Sequence, residues 1–223
     1  MKHFYLILFS ISLIHTCTIG GAYDDMGRPF IFKIRDSEYS NNKMHYNSSG
    51  SINYIGNINV GTPNLNQTWM GVNEEGLAII NTIVHLDYLD DEALSDNGKL
   101  MHDILSECTS LEEFRDIKND LIANYDNLYG NFLLLDNEPS NTESSKIWLY
   151  EIIQTNGQNE INAITEIGLN DYICRSNFIY DENQQNSGDN FENSKAIYRY
   201  DACELLLSSL NNSTNLNTKT LAN

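Results

Sequence analysis

Basic residues are scarce in this 223-residue chain, where 13 Lys and Arg stand against 31 Asp and Glu for a formal net charge of −18. No cluster of Lys or Arg interrupts that excess. A surface this acidic repels phosphate backbones, so nucleic acid is not an expected partner. Proline is scarce too, with three residues, and no stretch is rich enough in Pro, Gly or Ser to divide the chain into domains. The five His are scattered, and no Cys/His spacing resembles a zinc site. No Gly-rich phosphate loop and no G-x-S-x-G elbow occurs, which removes the common nucleotide-binding and serine-hydrolase signatures. No internal repeat is found.

The longest apolar run is FYLILFSISLI near the start. It is short for a membrane span, but with Lys2 and His3 before it the run has the parts of a secretory signal. Residues 1–16 are therefore read as a signal peptide or pro-segment, and the protein as secreted or periplasmic. A lipoprotein signal would also end in a cysteine, although His15 and Thr16 stand where it carries small residues. An export route permits disulfides. Setting Cys17 aside, Cys108, Cys174 and Cys203 are an odd number, so at most one pair forms among them. Helical periodicity around Cys108 and Cys203 predicts a buried thiol at each.

A hydrophobic content of 41%, with two Trp and thirteen Tyr, is enough for a core. PFIFKIRD alternates, with Phe30, Phe32 and Ile34 on one face and Ile31, Lys33 and Arg35 on the other. DDMGRP before it is a turn, which predicts a hairpin of Cys17–Tyr23 with Pro29–Asp36. INYIGNINV, TWMGVN and the apolar run LAIINTIV read as strands, the last two joined by a tight turn at NEEG. Helices are predicted from Gly98 to Cys108 and from Ser110, where Ser-Leu-Glu-Glu is a capping box. GNFLLLD, KIWLYEII and DYICRSNFIY are further strands, and DENQQNSGDNFEN is a polar loop. Ser194–Leu210 forms the last helix, with Ala196, Tyr200, Cys203 and Leu207 on one face. Hairpin-length connections join most strands, which makes the chain α+β with largely antiparallel sheet. Residues 211–223 read as an Asn/Thr-rich tail.

Cleavage before Cys17 would give one residue two catalytic groups. The new α-amino group, with a reference pKa of about 7.7–8.0, is a usable base near neutral pH for the adjacent thiol. It takes the thiol proton and later returns it to a leaving amine. Such a site also needs a carboxylate to orient the amino group, a cation near the sulfur and donors for an oxyanion. Lys33, Arg35 and Asp36 on the neighbouring strand are candidates for the first two.

CTIGGAYDDMGRPFIFKIRDSE resembles the start of the N-terminal nucleophile (Ntn) hydrolases that cut linear amides, the group of choloylglycine (bile salt) hydrolases, penicillin V acylases, acid ceramidase-like enzymes and isopenicillin N acyltransferases. WMGVNEEGLAIINT resembles their G-x-N-E-x-G-L-A segment, and NGKLMHDILSECTSLEEF their helical pair. CRSNF resembles their S-N-x strand, and SKAIYRYDACELL their S-x-x-R helix. The resemblance runs with gaps from Cys17 to about Leu207. It implies a four-layer αββα sandwich of two antiparallel sheets over residues 17–210; relatives continue beyond the S-x-x-R helix, so the expectation is that the family's final strands are absent or that the chain is a truncated product.

The resemblance also implies roles. Cys17 matches the nucleophile and Asp36 the aspartate that holds its amino group. Arg35, or Lys33 by the bile salt hydrolase spacing, matches the arginine near the sulfur. Asn177 matches an oxyanion donor, with Asn81 a candidate second one, and Arg199 matches the late arginine that organises the site. Asn73, Glu74 and Gly76 are read as turn chemistry. The expected activity is an amidohydrolase acting on linear, non-peptide amides through a Cys17 thioester, with a small-molecule acyl amide as partner. It needs no metal or organic cofactor. An acyltransferase or dipeptidase of the same superfamily is the alternative reading. A lipid-anchored or inactive truncated binding protein is the reading from another class, and a homo-oligomer is compatible with all of them.

Overall fold

The computed structural model describes residues 17–35, 42–59, 66–84, 95–137, 146–177 and 195–212. The leader, Asp36, the polar loop at 181–193 and nearly all of the Asn/Thr-rich tail lie outside the described residues.

The predicted hairpin forms from β1 (Thr18–Tyr23) and β2 (Pro29–Ile34). Asp24 builds its turn: one carboxylate oxygen accepts from the backbone N–H groups of Met26 and Arg28 at 3.0 and 2.8 Å, and the other from Arg28 Nε at 2.7 Å. Next come β3 (Asn42–Asn47), β4 (Tyr54–Asn59), β5 (Met70–Asn73) and β6 (Leu77–Ile83). Asn73 and Gly76 make the β5–β6 turn as expected. Asn73 Oδ1 accepts from Leu77 N at 2.9 Å, its Nδ2 donates to the carbonyls of Leu105 and Cys108, and Gly76 takes φ +90°, a conformation open to glycine. Helices α1 (Asn97–Glu107) and α2 (Leu111–Ile122) follow. Ser110 Oγ accepts from Glu113 N at 3.1 Å, and the Glu113 carboxylate returns to Thr109 N at 2.7 Å. The chain closes with β7 (Gly130–Asp136), β8 (Ile147–Thr155), β9 (Gln158–Ile167), β10 (Tyr172–Arg175) and α3 (Lys195–Asn212).

All described strand pairs are antiparallel, in two sheets of order β10-β1-β2 and β3-β4-β5-β6-β7-β8-β9. α1 and α2 cover one face of the large sheet, where Leu77, Ile79, Phe132, Leu134, Trp148 and Tyr150 meet Leu100, Met101, Ile104 and Phe114. α3 covers the outer face of the small sheet against Ala22, Phe30, Phe32 and Cys174. Between the sheets lie Ile19, Tyr23, Ile31, Ile80, Leu133, Ile147, Leu149 and Ile173. The layer order is thus helix, sheet, sheet, helix: the α+β, four-layer αββα sandwich that the resemblance implies.

Two features depart from the sequence reading. Cys203 is not a buried thiol: it forms a disulfide with Cys174, 29 residues earlier, that pins α3 to β10. The parity of β10 turns Cys174 toward α3 while Ile173 and Arg175 face the large sheet, so the pair meets where helix and strand pack. Strands β3 and β9 appear where no strand was read. β3 (NKMHYN) and β9 (QNEINAITEI) lie at the two edges of the large sheet, where polar residues on the wet side dilute the apolar alternation.

Candidate active site

The layer between the sheets changes character along the strands. Register places Ala78, Leu135, Ile147 and Ile167 in one row of the large sheet and Ile80, Leu133 and Leu149 in the next. The third row on the same face is Thr82, Asn131 and Glu151, all nearly solvent-free. On the small sheet the matching change runs from Tyr23 and Ile31 to Lys33, Arg35, Arg175 and the half-buried Cys17. A polar cluster at one end of a sandwich core costs free energy unless its groups are partnered, and most of them are.

Lys33 and Arg35 share the inward face of β2, because their neighbours Phe32 and Ile34 point the other way. Both cations interact with Cys17, whose sulfur favours their charged forms. Both expected alternatives for the cation near the sulfur are therefore within electrostatic range of Cys17. Burial drives the Lys33 ammonium down from 10.5 to about 8; the attraction of Cys17 opposes that fall and the Arg35 charge adds to it. Lys33 Nζ donates to the Trp69 carbonyl and to Asn81 Oδ1, each at 2.9 Å. The Arg35 guanidinium donates to the side-chain oxygens of Asn42, Asn57 and Asn59 and stacks 5.4 Å above the Trp69 ring. Burial lowers its pKa while Cys17 raises it.

Asn81 is 1% exposed. β5 begins at Met70, opposite Ile80, so Asn81 extends past the end of that strand, where Lys33 reaches it. An ammonium only donates, so the amide oxygen of Asn81 must be the atom facing Lys33. The nitrogen is left pointing elsewhere, buried and with no hydrogen-bond partner. Asn177, 7% exposed, shows the opposite polarity. Its Nδ2 donates to the Ile83 carbonyl at 2.5 Å, which only accepts, and its Oδ1 is left buried with no hydrogen-bond partner. Of the two residues expected to donate to an oxyanion, Asn81 holds an uncommitted N–H₂, whereas the Asn177 nitrogen already bonds Ile83.

Ser176 connects these parts. Its Oγ donates to the Cys17 carbonyl at 3.1 Å, and its own carbonyl accepts from Thr82 Oγ1 and Asn131 Nδ2, each at 2.9 Å. Next to it, Arg175 Nε donates to Glu151 Oε1 at 2.8 Å, an ion pair across the two sheets. The sequence reading missed Thr82, Asn131, Glu151, Arg175 and Ser176. Their one sequence signal is a polar residue at a core-facing position of each strand. Arg199 is half-buried on α3, in the layer on the outer face of the small sheet. Asp36 lies outside the described residues.

Among the described residues the small sheet packs mainly on β6 and β7, and beyond the Asn42, Asn57 and Asn59 end held by Arg35 the same face of the large sheet is exposed at β3–β5. Tyr46, Ile55 and Val72 are in register there, with Met44 one step along, and all four are exposed. This apolar floor begins beside Asn57, a partner of Arg35. Among the described residues there is no group of three or more His, Cys, Asp or Glu able to hold a metal ion.

No protein-family model and no curated protein matches the chain. Among solved structures it is similar to a variant of conjugated bile acid hydrolase from Clostridium perfringens, with 13% sequence identity and a TM-score of 0.44 over 70% of this chain. The chain spans about half (52%) of that structure's length.

Proposed function

We propose that the chain, once cleaved between Thr16 and Cys17, is a cysteine hydrolase of linear amides with an apolar acyl group. The observation that carries this reading is the Asn81 amide: a buried N–H₂ with no partner, its orientation set by the Lys33 ammonium, which itself interacts electrostatically with Cys17. A buried donor left without an acceptor is costly in a resting protein. It is what a tetrahedral oxyanion requires.

In this mechanism the Cys17 sulfur attacks the amide carbonyl and its proton passes to the Cys17 α-amino group. Asn81 donates to the oxyanion as the C–S bond forms. Collapse breaks the C–N bond, and the amino group hands the proton to the departing amine. Water then attacks the thioester, giving up a proton through the same amino group, and the carboxylic acid leaves as the thiol is restored. An acceptor amine in place of water would make the reaction acyl transfer. Lys33 and Arg35 supply the positive field at the sulfur, and Asp36 is assigned the orienting role at the amino group. The exposed apolar floor of Tyr46, Ile55 and Val72 supports an apolar acyl group. The Cys174–Cys203 disulfide supports export to an oxidising compartment.

The test is intact mass and N-terminal sequencing of the protein recovered after export, followed by a panel of acyl amides. A chain beginning at unmodified Cys17 that releases amine, with Cys17→Ser inactive, is the expected result. A chain that retains Thr16, or carries lipid on Cys17, lacks the base and would overturn the proposal in favour of the anchored or inactive reading.

A further inference from the structure

Three side chains of one row, Thr82, Asn131 and Glu151, stand side by side on adjacent strands of the large sheet. They reach across the layer to consecutive residues of the small sheet. Glu151 takes Arg175, while Asn131 and Thr82 both take the Ser176 carbonyl. At the next residue, Asn177 closes the series on Ile83. This is the place where β10 ends and where Ser176 holds the Cys17 carbonyl.

The Glu151–Arg175 pair is the anomalous member. The carboxylate is 1% exposed, and its second oxygen has no hydrogen-bond partner. Removing two ions from water costs about as much as their attraction returns, so an apolar pair of similar volume would hold the sheets together as well or better. What an apolar pair would lack is direction. A charged fork on a carboxylate fixes the register of one sheet over the other, whereas methyl groups slide. The register of β8 with β9 also shifts at Glu151/Ile152, with Asn162 the extra residue. Such irregularities re-aim a side chain.

We propose that Glu151 is a positioning residue that, through Arg175, sets where the end of β10 presents Ser176 and Asn177 to Cys17. It does not touch the reacting atoms. The role rests on the hydrolase reading for its catalytic consequence, but its geometric content stands apart from that reading.

The experiment uses the processed full chain and two variants, Glu151→Gln and the apolar double variant Glu151→Leu with Arg175→Met. Four quantities are read: urea stability, kcat and KM on an amide that the parent hydrolyses, and the side-chain amide NMR signals of Asn177, assigned by Asn177→Asp. The double variant should be as stable as the parent or more so. Both variants should lose about tenfold or more in kcat with KM changed less than about twofold, since small misplacements of reacting groups have effects of that size. The Asn177 signals should shift in both. A folded double variant with the parent's kcat and unshifted Asn177 signals would overturn the proposal and leave the pair purely structural. If the double variant does not fold, Glu151→Gln decides by the same two readouts. If the parent hydrolyses no amide, the hydrolase reading fails while the Asn177 signals still decide the positioning role.

Discussion

The Lys33 ammonium offers a direct measurement of how far this site departs from an ordinary core. Its pKa falls to about 8 in the folded chain from 10.5. The difference corresponds to roughly 3 kcal/mol against the charged form, at 1.36 kcal/mol per unit. Between those two values the unfolded chain binds the extra proton, so stability should rise with pH across about 8 to 10.5 and the penalty should be complete below 8. Lys33→Met removes the titration. Parent and variant should therefore be compared in a Cys17→Ala background, where the thiol does not titrate. Losing the sulfur also removes the attraction that props up the Lys33 pKa, so the depression will be no smaller. Urea unfolding followed by circular dichroism from pH 7 to 10.5 should show the variant losing ground to the parent by roughly 3 kcal/mol over that interval. Any constant offset from leaving Asn81 Oδ1 and the Trp69 carbonyl undonated, about 1–3 kcal/mol each, does not vary with pH. A stability difference independent of pH would refute the burial argument for Lys33. Under the proposed hydrolase mechanism the same deprotonation should make kcat/KM decline above about pH 8.

Replacing Asn81 by Ala should lower kcat about 10²–10³-fold with KM little changed, the effect of losing one oxyanion donor; kcat within twofold of the parent would remove Asn81 from the mechanism. Cys203→Ser opens the disulfide to Cys174 and should cost about 2–4 kcal/mol in chemical denaturation, a loss that vanishes when both proteins are measured under strong reductant. A methyl group at Gly130 would stand 2.2 Å from the Thr82 carbonyl, so Gly130→Ala should destabilise the fold by at least about 2 kcal/mol through a forced shift of β6 against β7; a fully stable variant would mean that the two strands part more easily than their register suggests.

Strands with one strong apolar face were legible from the sequence, as were the two helices that follow them and the cap of the second. PFIFKIRD, LAIINTIV and KIWLYEII announce themselves by alternation or by unbroken apolar runs, and the Ser110 box by two polar side chains at fixed spacing. The edge strands β3 and β9 were not legible, because their period-two signal is diluted by polar residues. Of the candidate site, Cys17, Lys33 and Arg35 were legible because they sit on one hairpin, a local unit whose register follows from its turn. Asn81 and Asn177 came only from motif resemblance.

The sequence by itself determined the local units: a hairpin with two cations on one face, a helical pair whose second member carries a capping box, and a cysteine placed after an apolar run, in a strongly acidic chain. Tertiary structure alone decided which distant polar residues meet. Thr82, Asn131 and Glu151 share a row only because β6, β7 and β8 pair in one register. They meet Arg175 and Ser176 only because two sheets stack. The pairing of Cys174 with Cys203, and the orientation of the Asn81 amide toward Lys33, depend on the same stacking. Propensity and periodicity act over a few neighbouring residues, whereas these contacts join residues up to about a hundred positions apart, so only the packing of apolar faces brings them together.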